Sequence, residues 1–338
     1  LVTCFYAFVP YHAVFAVTIW KDVLFAAGIL FFSVALLRLY HTFSYADLCI
    51  YMVSGLMFCL FRSNGWYAFL ITLPFLIYLF RRQWRKMLPA HLLILITAIM
   101  IKGPVMNALD VIQPDLIESL SIPTQQIAAV ICNDRKLTPA QWDSIQQVID
   151  TTYIKDLYHP NYADNMKELV RAGHQDYLAA HKGRYFKLWL SLGLTYPGDY
   201  INAYIQQTIG YWYPDSFYTV ANTEGISATS LGVSQTPLIR GFVITKAKEI
   251  AIKLGSMLPL YSLLWSMGVL FWVLLFCMGC AFVKNEKWKL VIYLPSLAGV
   301  LTVLIATPVS TDFRYVYFLV FAIPLYVILA FLPLQHLR

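Results

Sequence analysis

The chain has 338 residues, 59% of them apolar and 13% charged, with a mean hydropathy of +0.62 and a formal net charge of +7. Soluble domains carry about 25% charged residues, roughly twice this share. Such a composition excludes disorder, a coiled coil and an ordinary cytosolic enzyme, and points to a polytopic membrane protein with lipid as part of its solvent.

Eight apolar segments follow in chain order: 1–20 (interrupted at Pro10), 23–40, 48–61, 66–80, 87–101, 254–283, 290–307 and 315–337. A spanning helix needs about 20 residues. Segments three and five are short, so Tyr45, Arg62 and Lys102 are expected to extend them to the interface. The sequence opens at Leu1 inside an apolar stretch, and further chain is expected upstream of it. Basic loops set the orientation. Arg81-Arg82-Gln83-Trp84-Arg85-Lys86 and Lys284-Asn285-Glu286-Lys287-Trp288-Lys289 are expected in the cytoplasm, and alternation puts Arg38 and Arg338 there too. The outer face then receives 20–22, 62–65, 103–253 and 308–314. Because the positive charge gathers in such loops, it is no signal for nucleic acid.

The stretch 103–253 is too long and too patterned for a loop. Thr138-Pro139-Ala140-Gln141 reads as an N-cap, a proline at the first helical position and a capping box. Trp142, Ile145, Val148 and Ile149 continue it at helical spacing. Further helices are expected over 162–172, 185–194 and 199–209, then an irregular segment over 211–237. Residues 241–253 read as an amphipathic interfacial helix, with Phe242, Ile244 and Ile250 against Lys246, Lys248 and Lys253. The expected fold is therefore all-α: a polytopic transmembrane bundle of about eight spans with a mostly helical extracytoplasmic domain between spans five and six. Its parts are a transmembrane module (1–102), the extracytoplasmic domain (103–240), the interfacial helix (241–253) and a second transmembrane module (254–338).

Six cysteines give no disulfide framework, and Cys277 and Cys280 read as small packing residues in an apolar helix. The seven histidines form no HxxxH or HExxH pair, and no P-loop or GxGxxG occurs. Chemistry is expected where ionisable residues end apolar segments on one face: Lys21 and Asp22, Arg62 and Asn64, Asp312 and Arg314. Each is either an interfacial anchor or part of a shared polar chamber. Arginine there can clamp a phosphate, and Asp can serve as a base or as a divalent-metal ligand. Tyr211, Trp212 and Tyr213, with Asp215 beside them, can stack on sugar rings or anchor in a bilayer interface. Gln125 and Gln126 can bind hydroxyls or cap backbone.

Trp20-Lys21-Asp22-Val23-Leu24-Phe25, Arg62-Ser63-Asn64-Gly65 and Asp312-Phe313-Arg314-Tyr315 together resemble the GT-C superfamily of integral-membrane glycosyltransferases, in its bacterial protein-mannosyltransferase-like type. Ile122-Pro123-Thr124-Gln125-Gln126-Ile127-Ala128 and Gly210-Tyr211-Trp212-Tyr213-Pro214 look like signatures of that type. The resemblance implies a cell-membrane enzyme using a polyprenyl-phosphate-linked sugar donor and an envelope glycan, lipid or protein acceptor, without a nucleotide sugar. It implies a catalytic base upstream of this sequence, since 1–20 looks like the family's third helix. Asp22 matches the second acidic position, Lys21 balances donor phosphate charge, and Arg314 grips the lipid phosphate. Arg62 and Asn64 would line the same pocket, and Gln125 and Gln126 would meet donor or acceptor hydroxyls. A flippase for lipid-linked glycans and a non-catalytic envelope-binding scaffold are the alternatives.

Overall fold

The computed structural model describes residues 2–9, 12, 15–16, 18–112, 114–215, 241–257, 263, 266–306, 308–309 and 312–332. Among them the regular structure is helical, and the one extended pairing is a single bridge between His159 and Tyr162. The chain begins with α1 (Val2–Phe8), which stops before Pro10, and Trp20 is extended. Then come α2 (Lys21–His41), α3 (Tyr45–Leu60), α4 (Ser63–Leu79) and α5 (Trp84–Met100). The inserted domain contains α6 (Ser121–Cys132), α7 (Pro139–Gln146), α8 (Ile154–Leu157), α9 (Asp164–Arg171), α10 (Gln175–Ala180), α11 (Lys182–Thr195) and α12 (Pro197–Trp212). After α13 (Phe242–Met257), the chain closes with α14 (Met267–Val283), α15 (Trp288–Ala306) and α16 (Tyr317–Phe331).

Four helical runs are long and apolar enough to cross a membrane: Lys21–His41, Arg81–Ala108, Trp288–Ala306 and Phe313–Phe331. Tyr45–Leu60, Ser63–Leu79 and Met267–Val283 are shorter apolar helices packed among them. The fifth segment differs from its expectation. It is not short, because the helix continues through a π turn at Ile101–Val105. Pro104 has no N–H to donate, and the wider turn accommodates the missing ladder bond without ending the helix. The sixth segment also differs, since its apolar helix starts only at Met267. The irregular segment expected over 211–237 begins later, as α12 runs to Trp212, and 216–240 lie outside the described residues. Arg338 lies outside them too.

In the bundle, α2 packs on α3 and α16, α15 packs on α4, and α14 on α16. Buried hydroxyls tie three of these helices together. Tyr326 Oη of α16 lies 3.2 Å from Ser33 Oγ of α2 and 2.7 Å from Ser296 Oγ of α15. In an apolar surrounding each such group needs a partner, so the cluster fixes helix rotation as well as contact. The α2–α3 turn is held by the Arg38–Asp47 ion pair (2.6 Å) and by Ser44, whose hydroxyl accepts the Asp47 N–H. At the other end of α3, a Cβ on Gly65 would meet the Phe58 carbonyl oxygen at 2.1 Å. Only glycine lets α4 start this close to α3.

The inserted domain has its own apolar core, including Ile117, Ile127, Ile145, Met166, Val170 and Leu192. Lys167 is buried there between Glu118 (3.0 Å) and Asp164 (2.7 Å). The expected capping box is present: Thr138 Oγ1 accepts the Gln141 N–H (3.2 Å), and Gln141 Oε1 accepts the Thr138 N–H (3.0 Å). Thr138→Ala is expected to cost about 1 kcal/mol of local stability. Amide exchange should accelerate roughly fivefold across α7 and stay unchanged in the bundle.

Candidate functional site

The three polar clusters, up to some 290 residues apart in sequence, come together at the bundle end that carries the inserted domain. Asp22 stands in the first turn of α2 and is 5% exposed; Arg62, just before α4, is 6% exposed. Arg62 Nη1 lies 2.9 Å from Asp22 Oδ1 and also donates to the Tyr315 carbonyl at 3.1 Å. The guanidinium sits 4.4 Å from the Tyr315 ring centre and 5.8 Å from that of Phe25. Asn64 is buried beside it and donates from Nδ2 to Thr302 Oγ1 (3.1 Å) on α15. The sequence-based expectation of Arg62 and Asn64 as pocket-lining ligands is thus corrected. Both point inward and lock α2, α4, α15 and the 312–316 turn to one another.

Arg314 is different. Its side chain is 33% exposed and paired at 2.6 Å with Asp312, which is 21% exposed. Its guanidinium lies 5.1 Å from the rings of both Trp20 and Tyr315. Tyr315 therefore stands between the buried arginine and the accessible one. Asp312 accepts the Arg314 backbone N–H at the start of the 3-10 turn Phe313–Val316, which ties the position of the side chain to the turn. Burial pushes the Asp312 carboxyl up from its ordinary range, the Arg314 charge opposes this, and the Asp22 carboxylate adds to it. Lys21 is exposed at the same helix start. The carboxylates here, Asp22 and Asp312, are each occupied by an arginine. Among the described residues no group of three His, Cys, Asp or Glu gathers as metal ligands.

The remaining candidates serve the architecture. Gln125 is fully buried, and its Nε2 donates to the His159 carbonyl (2.5 Å). Gln126 donates to the Tyr200 carbonyl (3.1 Å) and accepts the Trp189 indole N–H (2.7 Å). Both amides, expected to meet hydroxyls of a ligand, are buried inside the domain; its backbone and indole take both ends of Gln126 and the Nε2 of Gln125. Tyr211 is 1% exposed, and its hydroxyl donates to the Val309 carbonyl (2.6 Å). The carbonyl of Trp212 accepts the Trp272 indole N–H, and that of Pro214 accepts the Ser266 hydroxyl, each at 2.8 Å. A Cβ on Gly268 would meet the Tyr213 carbonyl oxygen at 2.4 Å. Stacking on a sugar is therefore corrected for Tyr211: the aromatic run straps α12 onto α14 and the 308–309 segment. The side chains of Tyr213 and Asp215 remain exposed on the surface.

Thr302 and the Val309 backbone were outside the sequence-based candidates; only tertiary packing brings them to the cluster. Tyr211→Phe leaves a buried carbonyl without its donor and is expected to cost roughly 1–3 kcal/mol. Faster amide exchange at Val309 and Asp312, with the rest of the bundle unchanged, would register that loss. No curated protein and no solved structure matches this chain. The model of a family of unknown function, DUF6020, matches residues 1–336, and the chain belongs to that family.

Proposed function

We propose that this chain is a multi-pass cell-membrane glycosyltransferase of GT-C type, which moves a sugar from a polyprenyl-phosphate donor to an extracytoplasmic acceptor. The observation that carries this is an accessible arginine, Arg314, held on a preformed polar cluster at the ends of apolar helices. A lipid-linked phosphate presents its charge at that depth, where a lowered dielectric strengthens a guanidinium contact. The aromatic faces of Trp20 and Tyr315 restrict the Arg314 fork to a narrow range of orientations.

The basic 81–86 and 284–289 loops put the other bundle end in the cytoplasm and the inserted domain outside. In the transfer, the acceptor hydroxyl attacks the anomeric carbon as a base takes its proton. The bond from that carbon to the phosphate oxygen breaks, and Arg314 stabilises the charge arriving on the leaving phosphate. Lys21 supplies a second, mobile cation. The buried Arg62–Asp22 pair positions the Tyr315 backbone beneath Arg314 and touches neither substrate. Asp312 orients the Arg314 side chain. The acceptor is an envelope glycan, a lipid or a protein.

Proteoliposomes holding the full protein and radiolabelled polyprenyl-phosphate mannose or glucose test this. The expected result is label released from the donor onto an acceptor, with no transfer from nucleotide sugars. Movement of intact donor across the bilayer without release would indicate a flippase instead. Retention of intact donor on one side would indicate a scaffold.

A further inference from the structure

The opposite end of the bundle carries a cleft of about 780 Å³, built from three separate parts of the chain. The C-terminal end of α2 supplies Leu39, Tyr40 and His41; 78–83 form a second wall, and Glu286 and Trp288 a third. Tyr40 lies 18 residues beyond Asp22 on the same helix, roughly 27 Å along its axis, so this cleft is distinct from the Arg314 cluster. Its lining is mixed: Leu39 and Phe80 lie buried behind it, and Trp288 is stacked on Tyr40 (4.3 Å between centres, 7° between planes) in its wall.

Two cations stand at the rim. Arg81 lies over the Tyr78 ring at 4.7 Å, and Arg82 is exposed. Neither forms an ion pair with a carboxylate among the described residues. Among the described residues, the one carboxylate in the lining is Glu286, already neutralised by Lys289 at 2.6 Å. Lys289 is fully buried and also donates to the Leu329 carbonyl (2.7 Å), so it stays in place. Among the described residues, the cleft therefore presents two guanidiniums without a carboxylate counter-charge, beside the Tyr40–Trp288 stack. Within one turn of Tyr78 on α4, Phe75 and Ile77 are exposed apolar side chains.

We propose that this cleft binds the phosphate headgroup of an anionic phospholipid. The arginine forks take the phosphate oxygens, Tyr40, Tyr78 and Trp288 lie at the level of the headgroup, and the acyl chains run down the exposed face of α4. A soluble phosphate would use the same guanidiniums but not the exposed apolar side chains that follow on α4, which favours the lipid. The proposal rests on membrane embedding of the bundle and is independent of sugar transfer.

The test is native mass spectrometry of the full protein in detergent, titrated with phosphatidylglycerol or phosphatidylcholine. The expected result is preferential retention of phosphatidylglycerol. Arg81→Gln with Arg82→Gln should weaken that retention about tenfold or more, since these two guanidiniums line the cleft and hold the phosphate directly. Arg85→Gln with Lys86→Gln removes equal charge from the same basic run outside the cleft lining and should weaken it clearly less than the cleft pair does. Equal retention of both lipids by the unaltered protein would overturn the proposal, as would equal losses in the two double variants. Complete displacement of phosphatidylglycerol by millimolar glycerol 3-phosphate would assign the cleft to a soluble anion instead. The lipid comparison and the displacement need no variant, so they decide the matter even if a variant fails to fold.

Discussion

Arg62→Ala is expected to destabilise the protein by about 3–5 kcal/mol, because it leaves the Asp22 carboxylate buried without its counter-charge. Asp22 and Arg62 are both nearly sealed from solvent, and the guanidinium also satisfies the Tyr315 carbonyl and lies on the Tyr315 ring. One deletion therefore strands a charge, frees a carbonyl and opens a space beneath the 3-10 turn. Denaturant unfolding in detergent should report the loss. Asp22→Asn combined with Arg62→Gln should recover much of it, since neither remaining group then carries a buried charge. Arg62→Lys should fall between, as an ammonium keeps the charge and loses the planar stacking. If the pair stood at the lipid-exposed perimeter, all three variants would lie within about 1 kcal/mol of one another.

Arg314→Ala should act in the opposite way. Its side chain is one-third exposed and its partner Asp312 partly solvated, so its loss should change stability by no more than about 1 kcal/mol. Transfer should fall by roughly 10²–10³-fold, the usual effect of removing one preorganised donor to developing charge. Arg314→Lys should restore only part of the rate, because a single ammonium cannot reproduce the fork. The two arginines, equally suggestive as letters in the chain, thus separate into one that holds the fold and one that is open to a ligand.

That separation marks where the chain could be read directly and where it could not. The α7 capping box was legible because Thr138, Pro139 and Gln141 act on one another within a single turn. The meeting of 20–22, 62–65 and 312–314 was legible as well, because span alternation sends each of these turns to one face. The inward turn of Arg62 was not. It depends on Asp22 and Tyr315, which reach it only when α2, α4 and the 3-10 turn pack. Gln125 and Gln126 misled for the same reason, since nothing local reveals that the carbonyls of His159 and Tyr200 would occupy them. Tyr211, Trp212 and Tyr213 have a composition suited equally to a sugar platform, a bilayer belt or a domain strap. The Val309 contact makes Tyr211 part of a strap, which the Trp212 and Pro214 carbonyls join through Trp272 and Ser266, while the Tyr213 side chain stays exposed. The length of Arg81–Ala108 was hidden because the apolar run ends at residue 101, whereas the helix continues past it through the π turn at Ile101–Val105.

Everything proposed about sugar transfer depends on Arg314 meeting a lipid-borne phosphate, and that can be measured before any sugar or acceptor is known. Polyprenyl phosphate itself, titrated into the purified full protein in detergent, should bind saturably to the unaltered chain. Binding should weaken at least tenfold in Arg314→Ala while the unfolding midpoint stays in place. Equal affinity in the two proteins would mean that the phosphate lies elsewhere, and the assignment of this cluster as a donor site would be wrong.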